Sequence, residues 1–299
     1  MDSRPECLSG LQRRRRETTI FAAMRTPDKV MEWIAESTAN LRSRHPVRPI
    51  IGIVLGSGLG NFSREISVEL EIPYSDIPHF PVSTVEGHSG RLVFGTVAGR
   101  PVVAMAGRFH FYEGYGAEEV VYPIRVLKSL GVETLLVSNA AGGVNHDFRV
   151  GDIMVITDHI SLSTVNPLLG RNIPELGPRF PDMSEPYSKE LIGIADLVAA
   201  EQGIPVRKGV YFGVTGPTFE TRAEYRMILI LGGDAVGMST VQEVIAAVHM
   251  GMRVFAVSVI TDIGIREEEN VITHEEVLQA AAAAEPRMAR LLTSLIEKL

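Results

Sequence analysis

Apolar side chains recur along the chain with two periods, one typical of amphipathic helices and one of buried strands. Thr26, Pro27 and Asp28 have the residue types of a helix start: a capping side chain, a first-turn proline and an acidic first turn. The apolar or small positions that follow at helical spacing are Val30, Met31, Ile34, Thr38 and Leu41. This pattern predicts a first helix that ends near residue 43, before Pro46 and Pro49.

Continuous apolar runs with many β-branched residues predict buried strands between further helices. The predicted strands are 50–55, 92–97, 102–106, 134–138, 153–156, 210–215 and 254–260. The predicted helices are about 117–130, 187–202, 221–231, 241–250 and 274–298. Two of these helix starts have capping-box spacing: Thr221 with Glu224, and Thr273 with Glu276. We expect Pro286 to kink or divide the last helix.

The alternation of strands and helices predicts an α/β fold, a single layered domain with a mixed central β-sheet flanked by helices. We expect this domain to span 24–299, because no internal repeat and no linker interrupts the pattern. We expect the long irregular segment 157–186 to form a surface excursion, that is, a long surface loop, and loops of that length are usually functional.

Composition and charge exclude several classes of protein. The chain has 299 residues, is 45% hydrophobic and carries a formal net charge of −7, which disfavours nucleic acid and membrane surfaces as partners. No run approaches the ~18 apolar residues of a membrane span. Cys7 is the only cysteine, so an internal disulfide and a cysteine-based metal site are excluded. We expect a cytoplasmic protein without a metal.

The first 23 residues differ from the rest because they contain the basic run Arg13 to Arg16. A nucleic-acid arm and a twin-arginine export signal are the functional interpretations of such a run. No apolar stretch follows the arginines, as an export signal requires. We therefore expect residues 1–23 to be a disordered leader.

The first candidate binding element is the glycine-rich turn 56–60 after the buried strand 50–55. Such a turn exposes backbone N–H groups, and the hydroxyl of Ser57 adds a donor, so an anion can bind there. A tight turn that merely needs glycine is an equal alternative. A dinucleotide-binding turn is disfavoured because Asn61 stands where that motif has glycine.

The second element is the segment 108–115 after the strand 102–106. In an extended segment Arg108, His110 and Tyr112 lie on one face, and Phe109 and Phe111 lie on the other. A guanidinium recognises phosphate with two parallel hydrogen bonds, and an imidazole can donate to it. The pattern indicates an anion site backed by an apolar face.

Further polar residues follow the other predicted strands. Asn139 offers a donor and an acceptor, and Glu220 can accept paired hydrogen bonds from a base edge while Phe219 stacks on the ring. The alternatives are structural: Glu220 can interact with a helix dipole, and Ser239 can be a simple N-cap. Asp262 ends the strand 254–260 and His274 opens the last helix. Most of these residues fall at carboxyl ends of strands, where α/β sheets bind ligands.

Seven motifs in a fixed order resemble the trimeric, low-molecular-mass purine nucleoside phosphorylases. They are Gly56-Ser-Gly-Leu-Gly60, Glu86-Gly-His-Ser-Gly90, Arg108-Phe-His-Phe-Tyr-Glu-Gly-Tyr115, Asn139-Ala-Ala-Gly-Gly143, Gly216-Pro-Thr-Phe-Glu-Thr221, Gly237-Met-Ser-Thr240 and His274-Glu-Glu-Val-Leu278. The resemblance runs from about residue 28 to the C-terminus. It implies phosphorolysis of purine nucleosides to a free base and a pentose 1-phosphate in purine salvage, by a homotrimer that needs no cofactor besides phosphate as co-substrate.

The resemblance also implies a role for each candidate residue. The residues implied to hold phosphate are Ser57, His88, Arg108, His110, Ala140 and Ser239. Those implied to contact the nucleoside are Tyr112, Asn139, Phe219, Glu220, Met238, Asp262 and His274. His110, Glu220 and Asp262 are the residues expected to carry the chemistry.

Two positions depart from the family's familiar form. Asp262 stands where members specific for 6-oxopurines have Asn, and an ionised carboxylate there accepts hydrogen bonds from a 6-amino group. The hypothesis is that Asp262 broadens the specificity toward adenosine while Glu220 keeps inosine and guanosine favoured. Leu176 replaces a Phe in the loop expected to cap a neighbour's sugar pocket.

Three alternatives remain open from the sequence. A 5′-methylthioadenosine phosphorylase shares the phosphate site and is favoured by Asp262, but Glu220 and His274 disfavour it. A nucleoside-binding protein without catalysis is disfavoured by the phosphate-site residues Arg108 and Ser239. A nicotinamide-dependent oxidoreductase has only the first glycine turn in its favour.

Overall fold

The computed structural model describes residues 26–56, 60–82, 89–265 and 273–299. The predicted leader 1–23 lies outside the described residues. The same is true of Ser57 and His88, two of the residues expected to hold phosphate.

Within the described residues, nine strands form one mixed sheet in the order β2-β3-β4-β1-β5-β8-β7-β6-β9. The strands are β1 (Ile51–Leu55), β2 (Ser67–Pro73), β3 (Arg91–Val97), β4 (Arg100–Ala106), β5 (Thr134–Gly143), β6 (Ile153–Ile160), β7 (Val206–Gly213), β8 (Ala235–Gly237) and β9 (Arg253–Ile263). Because β9 pairs with β5 as well as with β6, the last five strands of the order close into a ring. The predicted mixed sheet is confirmed.

In the part of the chain that the structure describes, six α-helices cover the sheet. They are α1 (Pro27–Arg44), α2 (Ala117–Leu130), α3 (Lys189–Gln202), α4 (Arg222–Ile230), α5 (Val241–His249) and α6 (His274–Glu297). All five residues of β1 are buried, which explains its unbroken apolar run, since both faces of a covered strand must be apolar. No helix in the described part of the chain is both long and apolar enough to span a bilayer.

The helix predictions agree with the structure within a few residues, and both predicted capping boxes are present. Pro286 lies inside α6, which runs as one helix from His274 to Glu297, so the prediction that it divides the helix was wrong. Glu285 beside it is buried and accepts a hydrogen bond from the backbone amide of Phe62 at 2.8 Å. This contact attaches α6 to the 3₁₀ turn Gly60–Glu65 that follows the glycine-rich loop.

Two strands were not predicted, and several ends differ. β2 is mostly exposed, so it lacks the apolar run that marks a buried strand. β8 has only three residues, too few to show a pattern. β6 extends to Ile160, so residues 157–160 are strand although the sequence predicted an irregular segment from residue 157.

Candidate active site

A cavity of about 330 Å³ brings together every predicted site residue that the structure describes. On the expected phosphate side the lining residues are Arg108, His110, Ala140 and Ser239. On the expected nucleoside side they are Tyr112, Asn139, Phe219, Glu220, Met238, Asp262 and His274. These residues come from distant parts of the sequence, and the fold alone makes them neighbours.

Strand direction explains this convergence. β4 and β5 each run parallel to β1, and β9 runs parallel to β5, so these strands end at the same edge of the sheet. Arg108 follows β4, Asn139 lies in the second half of β5, and Asp262 is the last residue but one of β9. The cavity therefore lies at the carboxyl edge of the sheet, where α/β folds bind ligands.

The guanidinium of Arg108 is buried at 1% exposure and is held by a carboxylate that the sequence analysis did not identify. Arg108 donates from Nε to Oε1 of Glu243 at 3.0 Å, and its Nη2 lies 3.0 Å from Oε2 of the same side chain. Its Nη1 donates to the carbonyl oxygen of Ser138 at 2.8 Å and to Oγ of Ser239 at 3.3 Å. Glu243 thus occupies the edge formed by Nε and Nη2, and the expected contact of Arg108 with phosphate stays a prediction for the rest of the guanidinium.

The sequence does not identify Glu243 as a site residue, because its position also fits an ordinary helix start. Thr240 and Glu243 have capping-box spacing, so the sequence suggests that the glutamate caps the first turn of α5. In the structure the carboxylate turns to Arg108, and Thr240 makes no side-chain capping bond. The N-cap is Thr240 and not Ser239, the residue for which the alternative of a simple N-cap was open.

The backbone is strained where α5 begins. Thr240 has φ 70° and ψ −55°, and the amide of Val241 donates to the carbonyl oxygen of Ser239 at 2.7 Å, which together define a tight γ-turn. A β-branched residue rarely adopts positive φ, and such strain persists only where surrounding contacts impose it. One such contact is the hydrogen bond from Nδ2 of Asn139 to Oγ1 of Thr240 at 2.8 Å. Asn139 thus fixes the turn that carries Ser239.

Gly56, at the start of the glycine-rich loop, has no room for a side chain. A Cβ atom there would lie 2.7 Å from the carbonyl oxygen of Ser138 and 3.2 Å from Nη1 of Arg108. The backbone therefore approaches Ser138 and Arg108 so closely that this position requires glycine.

His110 is buried and paired with a second carboxylate that the sequence analysis did not single out. Its Nδ1 lies 3.0 Å from Oε1 of Glu113, and its ring stacks on Tyr112 with centroids 4.6 Å apart. Burial, aided by the nearby charge of Arg108, lowers the pKa of His110 despite the opposing effect of Glu113. A neutral ring that donates from Nδ1 to the carboxylate has an acceptor at Nε2, which reverses the donor role expected of His110 toward phosphate.

The predicted division of segment 108–115 into two faces is partly confirmed. Arg108, His110 and Tyr112 all line the cavity, and Phe109 is buried at 1% exposure. The segment is not extended throughout, because Phe111–Glu113 forms a 3₁₀ turn. This turn brings Glu113 back to His110, a contact that an extended segment does not allow.

The opposite end of the cavity contains two carboxyl groups. Burial is the main cause that raises the pKa of Glu220, and the charge of Asp262 raises it further. Asp262 is buried, and its Oδ1 accepts a hydrogen bond from Oγ1 of Thr261 at 3.0 Å. Phe219 is 43% exposed at the rim of this end. An apolar ring beside hydrogen-bonding carboxyl groups suits a planar heterocycle.

Three residues line the part of the cavity expected to bind the pentose. Burial raises the pKa of Tyr112 to about 12, so its phenol stays neutral and can donate a hydrogen bond. Met238 precedes Ser239, and His274 is the first residue of α6. Both residues therefore line the cavity from the N-terminal ends of helices, Met238 just before α5 and His274 in α6.

Leu176 belongs to the hydrophobic core of its own chain. Its side chain is 9% exposed and lines a cavity together with His249. The expected position of its loop at a neighbour's sugar pocket stays a prediction.

The chain resembles proteins of known activity along most of its length. The profile of the phosphorylase superfamily matches residues 50–297. Purine nucleoside phosphorylase 1 of Bacillus subtilis is 49% identical over 263 residues, which are 88% of this chain and 97% of that protein. The purine nucleoside phosphorylase of Mus musculus is 46% identical over 272 residues, which are 88% of this chain and 94% of that protein.

Solved structures lead to the same family. The crystal structure of Schistosoma mansoni purine nucleoside phosphorylase in complex with adenosine superposes with a TM-score of 0.85 at 44% identity, over 90% of this chain and 97% of that chain. The same protein has also been solved with inosine, at a TM-score of 0.85 and 43% identity. The cavity at the carboxyl edge of the sheet and these similarities establish that the chain belongs to the purine nucleoside phosphorylases of the phosphorylase superfamily.

Proposed function

We propose that the chain catalyses the phosphorolysis of purine nucleosides, with inorganic phosphate as co-substrate and a purine base and a pentose 1-phosphate as products. The observation that carries this proposal is a cavity lined both by Arg108, which donates a hydrogen bond to Ser239, and by Glu220, which interacts with the charge of Asp262. An anion-binding end and a base-binding end in one cavity suit a reaction between a phosphate and a nucleoside.

The geometry favours a direct displacement without a covalent enzyme intermediate. Phosphate is already anionic, so it requires positioning against C1′ of the pentose. As the glycosidic bond breaks, the pentose becomes cationic, and the adjacent phosphate stabilises it electrostatically. The departing purine gathers negative charge, which hydrogen-bond donors at its ring stabilise.

On the phosphate side, the hydroxyl of Ser239 and the backbone at Ala140 supply polar contacts, with Arg108 directly behind Ser239. The acceptor Nε2 of His110 suits a protonated phosphate oxygen. Ser57 and His88 remain proposed contributors, carried by the family resemblance.

On the base side, an ionised Glu220 accepts hydrogen bonds from N1–H of a 6-oxopurine, and Asp262 accepts from the 6-amino group of adenosine. We propose that inosine and guanosine are favoured and adenosine is also accepted. Structures of Schistosoma purine nucleoside phosphorylase with adenosine, inosine and guanosine support this breadth.

We further propose a homotrimer in the cytoplasm that serves purine salvage without a metal or cofactor. The exposed apolar side chains of Leu162, Leu169 and Phe180 support an assembly, since they lie along the excursion expected to contact a neighbour.

The test is base release from inosine, guanosine, adenosine and 5′-methylthioadenosine, each with and without phosphate. Phosphate-dependent release from inosine or guanosine is expected, with slower release from adenosine. Turnover of methylthioadenosine alone would assign the chain to the related phosphorylase, and binding without turnover would make it a nucleoside-binding protein.

A further inference from the structure

The described residues give the phosphate end of the cavity little net positive charge. Arg108 is the only lysine or arginine among the described residues that line the cavity. Its charge is opposed by Glu243, which is 2% exposed and contacts it through both carboxylate oxygens. His110 next to Arg108 has a lowered pKa and is neutral at neutral pH. A phosphate entering this end meets hydrogen-bond donors and a neutralised ion pair.

We propose that Glu243 is a positioning residue that orients Arg108 and offsets its charge, and so keeps phosphate binding weak enough for the phosphorylated product to leave. This inference rests on the proposed phosphorolysis, in which phosphate enters and a pentose 1-phosphate departs through the same site. A bare guanidinium would hold both anions tightly, because charges interact strongly in a buried site.

The contacts of Arg108 show how the orientation is fixed. The edge formed by Nε and Nη2 faces Glu243, while Nη1 donates to the carbonyl oxygen of Ser138 and to Oγ of Ser239. The carboxylate thus directs the other side of the guanidinium toward the strained turn at Thr240 and toward the hydroxyl expected to contact phosphate. Glu243 itself does not line the cavity, so it acts through Arg108.

A purely structural role for Glu243 is the alternative, and it makes a different prediction. Removing one partner of a buried ion pair destabilises a protein, because the other charge remains buried without compensation. A structural role predicts that such a variant is less stable and binds phosphate more weakly. Charge offset predicts that the variant is less stable without phosphate and binds phosphate more tightly, because the anion then compensates Arg108.

The experiment compares the full-length wild type with Glu243→Gln, Glu243→Asp and the control Glu190→Gln. Glu190 pairs with Arg253 on the surface, so its replacement changes the net charge equally outside the cavity. Inorganic phosphate is titrated by calorimetry without nucleoside, and the unfolding temperature is followed against phosphate concentration. The second measurement reports binding even where Glu243→Gln is unstable without phosphate.

For Glu243→Gln we expect a Kd for phosphate at least about tenfold lower than that of the wild type, and a larger rise of the unfolding temperature with phosphate. Glu243→Asp keeps the charge, so its Kd should not fall below the wild-type value, and Glu190→Gln should bind like the wild type. Equal or weaker phosphate binding by Glu243→Gln overturns the inference and leaves the proposed phosphorolysis intact. Absence of phosphate binding and of phosphorolysis in the wild type overturns both.

Discussion

Oε1 of Glu113 accepts two hydrogen bonds from His110, one from the backbone amide at 2.8 Å and one from Nδ1 of the ring at 3.0 Å. The two bonds close a small loop within the 3₁₀ turn Phe111–Glu113 and hold the imidazole in one orientation. With Nδ1 facing a carboxylate, the neutral ring presents Nε2 as an acceptor to the cavity. The orientation and tautomer of the neutral ring are therefore set by Glu113, a residue that does not line the cavity.

Replacement of Glu113 by alanine should misplace this ring. We expect Glu113→Ala to lower kcat/KM for inosine phosphorolysis by about 100-fold, since small displacements of a positioning group cost that much. Glu113→Gln keeps an oxygen that accepts both bonds and should stay within about tenfold of the wild type. Initial rates at saturating phosphate measure the effect, and unfolding temperatures check that both variants fold. Full activity of Glu113→Ala would show that the orientation of His110 is unimportant.

The hydrogen bond between Asn139 and Thr240 leads to a prediction about stability. In Thr240→Ala the buried Nδ2 of Asn139 loses the acceptor Oγ1, so the free energy of unfolding should fall by about 1–3 kcal/mol. Thr240→Ser keeps the acceptor and removes the β-branch from a residue at φ 70°, so it should be at least as stable as the wild type. Urea unfolding of the three proteins measures both changes. An equal loss of unfolding free energy in the serine and alanine variants would show that the hydroxyl of residue 240 does not stabilise the protein.

The sequence predicts this site well because its ligand-facing residues lie where buried strands end. Arg108, Asn139 and Asp262 follow or end apolar runs, and parallel strands place such positions at one edge. The family motifs contain Arg108 and Asn139, so pattern and resemblance agree at these two positions, whereas Asp262 is identified by its place at a strand end alone.

The supporting residues are less predictable, because their partners cannot be recognised from spacing. Glu243 fits a helix cap, yet its partner Arg108 lies 135 positions away. Glu113 is close to His110 in sequence, but only a turn brings the two side chains together. The end of β5 at Gly142 and Gly143 was also not predicted as strand, because glycine disfavours strands and pairing with β8 and β9 decides the conformation there.

Asp262 should determine how well adenosine is used. Asp262→Asn replaces an acceptor-only carboxylate with an amide that donates to O6 or N7 of a 6-oxopurine. We expect kcat/KM for adenosine to fall about tenfold or more and that for inosine and guanosine to be maintained or to rise. Parallel assays with the three nucleosides measure this shift. Adenosine activity equal to or above the wild type in Asp262→Asn would refute the hypothesis.

The choice of base should also depend on pH through Glu220. Burial and the charge of Asp262 raise the pKa of Glu220 above the ordinary value of 4.5, so its neutral form persists to higher pH than in a solvated glutamate. The ionised form accepts from N1–H of inosine, whereas the neutral form donates to the unprotonated N1 of adenosine. As the pH falls through the raised pKa, inosine should lose kcat/KM faster than adenosine, and the ratio of adenosine to inosine activity should rise.

The ratio of kcat/KM for adenosine to kcat/KM for inosine is the informative measurement. Titration of phosphate or of His110 changes the rates with both nucleosides alike, so its effect cancels in this ratio. We expect this ratio to be constant well above the raised pKa of Glu220 and to increase on acidification toward the ordinary value of 4.5. Glu220→Gln is the matched control: its amide both donates and accepts at every pH, so the ratio should not change with pH. A ratio that is flat in the wild type, or that rises equally in Glu220→Gln, would mean that the protonation of Glu220 does not select the base.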